Sequence, residues 1–385
     1  MAIATGILDT KSWISKPDTK ATMTNALPTG SLGASQKTAV RLTDVTELQP
    51  GEEADWDRFV LSSPSATFFH LTGWKRVIEG ELGRQCFYLT ARRDREICGV
   101  FPISRVRSRL FGDCLVSLPL AVYGGVCADD QDSYFSLLQA GSALADRLGV
   151  KYLEMRNRTE AFPTSLPGRD LYVTFTQDLS AGPEKLLQGL PRDTRYAVRK
   201  SQKAGLEWTE DLSQDEFYEI YARSVHRLGT PVFSRDLFRR LQDEFPGKAK
   251  LFGVRKGRTA IAGVLCFYFR DQVLPYYAGA LSEYYKDSPN NFMYWSLMAQ
   301  SSKEGFREFD FGRSKRGTGS HDFKSAWSMT VTELPYKYHL AKAKEVPQLS
   351  PVDKKFQLPV AAWKRLPFSC TKVIGPRLIR WVPSI

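Results

Sequence analysis

The run of elements between residues 86 and 154 returns roughly 160 residues later, and a duplication of that length restricts the chain to architectures built twice from one unit. CFYLTARRDREICGVFPISRVRS (86–108) alternates apolar and polar residues about a charged turn, the pattern of a β-hairpin. KAKLFGVRKGRTAIAGVLCFYFRD (248–271) repeats it, and ICGVF is echoed by IAGVL. An extended run follows each hairpin: CLVSLPLAVYGGVCA in the first copy, LPYYAGAL in the second. Next come helical periods that end at glycine, YFSLLQAGSALADRLG (134–149) and NFMYWSLMAQSSKEG (291–305). The strands in VKYLEMRN and FREFDFGRS close the units and place Glu154 and Asp310 in corresponding positions. Ahead of the first copy, RLTDVTEL (41–48) reads as a strand, and Asp55 to Leu82 as helical with an aromatic interruption at FFHLTGW.

The fold class this predicts is α/β with mixed sheets, in two units spanning 41–180 and 181–345. A hairpin, a long strand, a helix and a parallel strand resemble the GNAT acyltransferase fold, so two tandem GNAT-like domains are expected. Residues 1–40 are rich in Thr, Ser, Ala, Gly and Lys without periodicity and read as a mobile tail. Residues 346–385 form a basic, aromatic, proline-broken arm. Its expected placement is packed on the protein with some affinity for an anionic membrane, because the prolines forbid one long amphipathic helix.

A formal charge of +12 over 385 residues favours an anionic partner: nucleic acid, nucleotide, phospholipid or acidic polymer. The six cysteines contain no C-x-x-C pair and read as buried thiols of a reducing compartment, and the four histidines are dispersed, so no metal site is expected. No apolar run approaches the roughly 20 residues of a membrane span, and the N-terminus lacks the features of a signal peptide. A cytoplasmic protein, at most peripheral at the inner face of the membrane, is expected.

FDFGRSKRGTGSHDFKSAW (309–327) concentrates glycine and cations, yet it is a poor phosphate loop. GRSKRGTG carries Thr318 where a Walker A sequence has lysine, and GTGSHD lacks the last glycine of a dinucleotide fingerprint. The segments that would hold a CoA diphosphate are also unfavourable. SEYYKDSPNN has no glycine, and GGVCADDQD carries Asp129, Asp130 and Asp132.

FFHLTGW, RYAVRKSQKAG (195–205) and FDFGRSKRGTGSHDFKSAW together resemble the Fem family of tandem-GNAT transferases, and among them the Fem-like proteins of exopolysaccharide and protein-sorting loci. The resemblance spans roughly residues 40–345. It implies transfer of an aminoacyl or acyl group to an amine of an envelope or exopolysaccharide precursor. The donor would be aminoacyl-tRNA or acyl-CoA, with no tightly bound cofactor, and Phe323 and Lys324 would match a functional Phe-Lys pair. The other readings are an acyl-CoA-dependent N-acyltransferase and a non-catalytic module binding polysaccharide or RNA.

Aminoacyl transfer needs a nucleophilic amine and a donor for the developing oxyanion. Lys324 suits the second task; Asp310 and Asp322 are candidates to accept a proton or orient the amine. Asp310 alternates with Phe309 and Phe311, so it lies on the other strand face and either enters a cleft or pairs with an arginine such as Arg313. Arg313 and Arg316 are expected acceptor contacts. Arg192, Arg195, Arg199 and Lys203 recur at spacings of three, four and four, one helix face suited to consecutive phosphates of a nucleotide-sugar or tRNA. Tyr123, Tyr276, Tyr277 and Trp74 are candidates to line an acceptor groove, with at most one of the two adjacent tyrosines facing it.

Overall fold

A computed structural model describes residues 43–108, 112–347 and 354–382; the N-terminal tail expected over 1–40 lies outside them. Each copy of the repeat forms its own mixed sheet. In the first, the order is Asp44–Glu47, Cys86–Arg93, Glu96–Ser108, Gly112–Val116, Leu153–Met155, Tyr336–His339, Gly168–Arg169. In the second, read from the matching edge, it is Leu206–Thr209, Ala249–Lys256, Thr259–Phe269, Gln272–Ala280, Glu308–Asp310, Tyr172–Asp178, Ser314–Lys315. The correspondence extends to register. One parallel pair stands in each sheet, Leu115 opposite Leu153 and Val273 opposite Phe309, and the helices Gln131–Leu148 and Pro289–Lys303 supply the crossovers.

No single cut in the chain separates the sheets. Tyr172–Asp178 follows the first copy but pairs with Glu308–Asp310 of the second, and Tyr336–His339 follows the second copy but pairs with Leu153–Met155 of the first. Each half thus gives a strand to its neighbour, and the backbone bonds of both sheets depend on both halves.

Aromatic packing closes the seam. The FFHLTGW run forms a 3-10 turn, Phe68–His70, between the helices Glu53–Ser62 and Gly73–Leu82. Phe68 stacks on Phe267 of the second sheet at 4.6 Å between ring centroids and packs on Phe245 at 4.7 Å. His70 fixes this turn in its neutral form. Its Nδ1 accepts the Thr67 amide (3.0 Å), while Nε2, 3.0 Å from the Gly125 carbonyl, carries the proton. Burial pushes His70 down to about 4. Between pH about 6.5 and 4 the unfolded chain therefore binds a proton that the folded chain refuses, and stability falls as pH is lowered through that window. Urea unfolding at pH 7 and pH 5 should show a larger loss in the wild type than in His70→Gln; equal losses would refute the assignment.

Two expectations need correction. CLVSLPLAVYGGVCA is extended only at Gly112–Val116 and Cys127–Ala128; residues 117–126 form an irregular, buried loop, because Leu120 (φ 66°) and Gly124 (φ 130°) turn the chain out of the sheet. The loop also passes so near Asn157 that a Cβ on Gly125 would meet its Oδ1 at 1.8 Å. The cysteines are not uniformly buried: Cys370 is exposed and Cys98 half-buried. In the C-terminal arm the prolines leave two helices, Lys354–Arg365 and Phe368–Ile379, and residues 348–353 and 383–385 lie outside the described part.

Candidate active site where the second strand pair opens

The parallel strands of the second sheet pair at Gln272 with Glu308 and Val273 with Phe309, then separate. Gln272–Ala280 continues with Thr259–Phe269 along one edge, while among the described residues no strand bonds the other edge beyond Val273. At the mouth of this fork lies the turn Asp310–Arg313. Gly312 adopts φ 70°, a left-handed conformation that glycine takes without Cβ strain, and its amide donates to Asp310 Oδ1 at 2.8 Å. From the other side the short helix Gly319–Ser325 delivers Lys324. Its Nζ donates to the carbonyls of Phe311 (2.6 Å), Gly312 (3.0 Å) and Arg313 (3.3 Å). The turn is clamped between a carboxylate and an ammonium.

Both groups are about 1% exposed. Burial pushes Lys324 down to about 7, with Asp310 pulling it up and Arg313 down. Asp310 faces the first half of the chain. It accepts from Thr174 Oγ1 (2.8 Å), and Tyr123 of the 117–126 loop brings its hydroxyl to 3.0 Å from Oδ2. Arg158 stands 3.6 Å from the same carboxylate and pairs with Glu308 two residues back on the strand. Glu308 is the most exposed member of this network, its side chain 33% exposed against 22% for Arg158 and 1% for Asp310. Burial raises its pKa, Arg158 opposes the rise, and Asp310 adds to it.

The first half handles its fork differently. Pairing ends at Val116 with Glu154, and the opening is filled by residues 118–121 held on the fully buried Arg156, whose Nη1 donates to Leu118 O (3.0 Å) and Ala121 O (2.7 Å). The second fork instead holds the turn Asp310–Arg313 and the ammonium of Lys324.

Several sequence expectations are rearranged. Asp310 pairs with Arg158, not Arg313, since the left-handed turn at Gly312 carries Arg313 away to stack over Tyr172 at 4.6 Å and Tyr336 at 5.8 Å. Among the described residues Arg313 Nη2 is buried without a hydrogen-bond partner. Asp322 is not with Asp310: its helix turns it outward, 77% exposed beside His321. Arg316 also faces solvent and pairs with Glu333 at 2.7 Å. Phe323 packs among Tyr294, Phe311 and Trp327. Trp74 and Tyr276 do not line a groove. Trp74 lies in the aromatic seam, and Tyr276, buried beside Phe69 and Phe267, donates its hydroxyl to Leu120 O at 2.6 Å.

The basic row is helical over Arg192–Lys203, with Arg199 and Lys203 exposed and Arg195 partly buried, capping the Gln188 carbonyl at 2.7 Å. Thr194 donates to Ala326 O at 2.5 Å and thus holds this helix against the end of the Lys324 helix. Sequence pattern alone does not single out Thr174, Arg158 or Glu308. Arg158 had a signal, since YLEMRNR corresponds to FDFGRS and already supplied Glu154.

Residues 191–325 match the family profile described as Acetyltransferase (GNAT) domain. This segment is similar to GNAT acetyltransferase domains. It contains the second fork, the clamp and the basic helix. The fold of the chain is similar to the crystal structure of FemX, at 14% identity and a TM-score of 0.61, over 78% of this chain and 98% of that one. It is also similar to the C-terminal domain (DUF2156) of a putative lysylphosphatidylglycerol synthetase from Agrobacterium fabrum, at 12% identity and a TM-score of 0.53, over 74% and 90% of the two chains. At these identities the likeness concerns the fold, and the fold is the tandem GNAT arrangement expected from the repeat. No curated protein matches the sequence.

Proposed function

We propose that the chain is an N-acyltransferase of Fem-like type, moving an aminoacyl or related acyl group onto an amine of a cell-envelope or exopolysaccharide precursor at the second fork. The observation that carries this reading is the strand edge beyond Val273, unpaired among the described residues, beside the Asp310–Lys324 clamp. Backbone groups on such an edge can bond an extended amide-bearing donor arm as an added strand would. The acceptor nitrogen attacks the donor carbonyl carbon, a C–N bond forms, and the C–O bond of an ester or the C–S bond of a thioester breaks. Glu308 takes the proton released by the amine, its raised pKa and partial exposure suiting it to that role. Arg313, with an unused donor at Nη2, contacts an anionic group of the acceptor.

Two donors fit different parts of the site. The GNAT domain favours acyl-CoA. The glycine-free segment Ser282–Asp287 with its Lys256–Asp287 pair, and the exposed row on Arg192–Lys203, favour the phosphate backbone of aminoacyl-tRNA. Mass spectrometry of envelope precursors and polymer from cells with and without the protein identifies the product; a CoA-dependence assay with purified protein separates the donors. Glu308→Gln should lower kcat about 10²-fold and abolish the rise of rate with pH on the acid side. An unchanged profile would remove Glu308 as the base.

A further inference from the structure

A cavity of about 590 Å³ opens where the strand Glu96–Ser108 meets the C-terminal helix Phe368–Ile379, and its lining shares no residue with the second fork. Arg84, Arg105, Arg107, Arg377 and Arg380 line it, together with Trp381. Asp113 offsets only part of this charge: Arg105 grips it through Nε (3.0 Å) and Nη2 (2.5 Å), and Arg107 approaches to 4.0 Å. Arg84 is the decisive residue. It is 6% exposed, and its Nη2 donates to the carbonyls of Arg380 (2.8 Å) and Val382 (3.0 Å). Among the described residues its Nε and Nη1 are buried with no hydrogen-bond partner. Burial lowers its pKa to about 10, which still leaves it charged at neutral pH. A buried cation with two unused donors costs free energy that an anion would recover.

The surroundings say where that anion comes from. Of the eight large hydrophobic side chains exposed among the described residues, five fall within 366–381: Leu366, Val373, Ile374, Leu378 and Trp381. Ile374, Arg377, Leu378 and Trp381 recur at helical spacing, so an apolar stripe borders the arginine cavity along one face. Apolar side chains flanked by arginine suit an interface in which the former enter the acyl boundary and the latter meet phosphates. No described helix is long and apolar enough to cross a membrane, so the contact is peripheral.

We propose that this face docks on an anionic lipid surface, with a lipid phosphate bound in the arginine cavity. The site does not depend on the acyl-transfer reading. It is tested with full-length protein by cosedimentation with phosphatidylcholine vesicles, with and without phosphatidylglycerol, and by thermal shift with inorganic phosphate. Wild-type protein should bind the anionic vesicles and not the neutral ones. Arg107→Ala/Arg380→Ala should weaken binding at least tenfold, and Ile374→Ser/Leu378→Ser should weaken vesicle binding while leaving any phosphate shift intact. Lys185→Ala/Lys303→Ala, which removes two exposed charges elsewhere, should bind as wild type does. Equal loss in that control would mean binding by net charge alone and would overturn the proposal. So would a phosphate shift without vesicle binding, which would make the ligand a soluble phosphate, or full vesicle binding by both cavity-face variants.

Discussion

Lys324→Met is expected to lower kcat/KM for acyl transfer by 10²–10³-fold, with the protein still folded by circular dichroism. The magnitude is that of one preorganised donor at a developing oxyanion. All three protons of the ammonium are placed on carbonyls of the Phe311–Arg313 turn, the longest contact being 3.3 Å to Arg313 O. A reacting oxygen can take over that longest bond while the other two continue to hold the turn. The pH dependence distinguishes this from a purely structural role. With Lys324 lowered by burial to about 7 against a usual 10.5, the charged form is lost as pH rises through about 7, and a rate that requires it declines there. Stability moves the other way: between about 7 and 10.5 the unfolded chain holds a proton that the folded chain has released, so unfolding free energy rises with pH. Wild-type protein should thus become slower and more stable over the same interval, and Lys324→Met should lose the stability increment. Full activity in the variant would end the assignment of Lys324 to the chemistry.

The repeat was legible because its signals are local and periodic. Paired hairpins, glycine-ended helices and the matching places of Glu154 and Asp310 need only alternation and helical spacing, and the two sheets reproduce them strand by strand. The exchange of Tyr172–Asp178 and Tyr336–His339 between sheets was not legible, since a strand's period says which face is buried but not which neighbour it bonds. The same limit governs the site. Lys324, Phe323 and Arg313 lie close together in sequence and could be grouped by motif, and the basic helix by its own spacing. Tyr123, Thr174 and Arg158 reach Asp310 from other segments, the first through a loop whose course depends on Leu120 and Gly124 leaving the sheet. Asp322 and Asp310 looked equivalent as carboxylates. A helix turns one into solvent, and a strand turns the other into the seam.

The largest loss of stability is expected from Arg156→Met, about 3–5 kcal/mol by urea unfolding, the range for breaking a buried ion pair from one side. The Arg156 guanidinium is fully buried, with Nε donating to Glu154 Oε1 at 2.8 Å and Nη1 to the carbonyls of Leu118 and Ala121. Methionine fills similar space but strands the Glu154 carboxylate, 7% exposed, and two buried carbonyls. Glu154→Gln/Arg156→Met removes the stranded charge and should recover part of the loss; a double variant no more stable than Arg156→Met would show that the carbonyls, not the ion pair, set the cost. The consequence extends to the other half of the molecule. The loop that Arg156 holds carries Tyr123 to Asp310, while Tyr336 of the exchanged strand donates its hydroxyl to Val122 O beside it. Arg156→Met should therefore also lower kcat, in the same direction as Tyr123→Phe, with little change in donor KM. A destabilised variant with unaltered kcat would show that the buried first fork supports the fold without positioning the second.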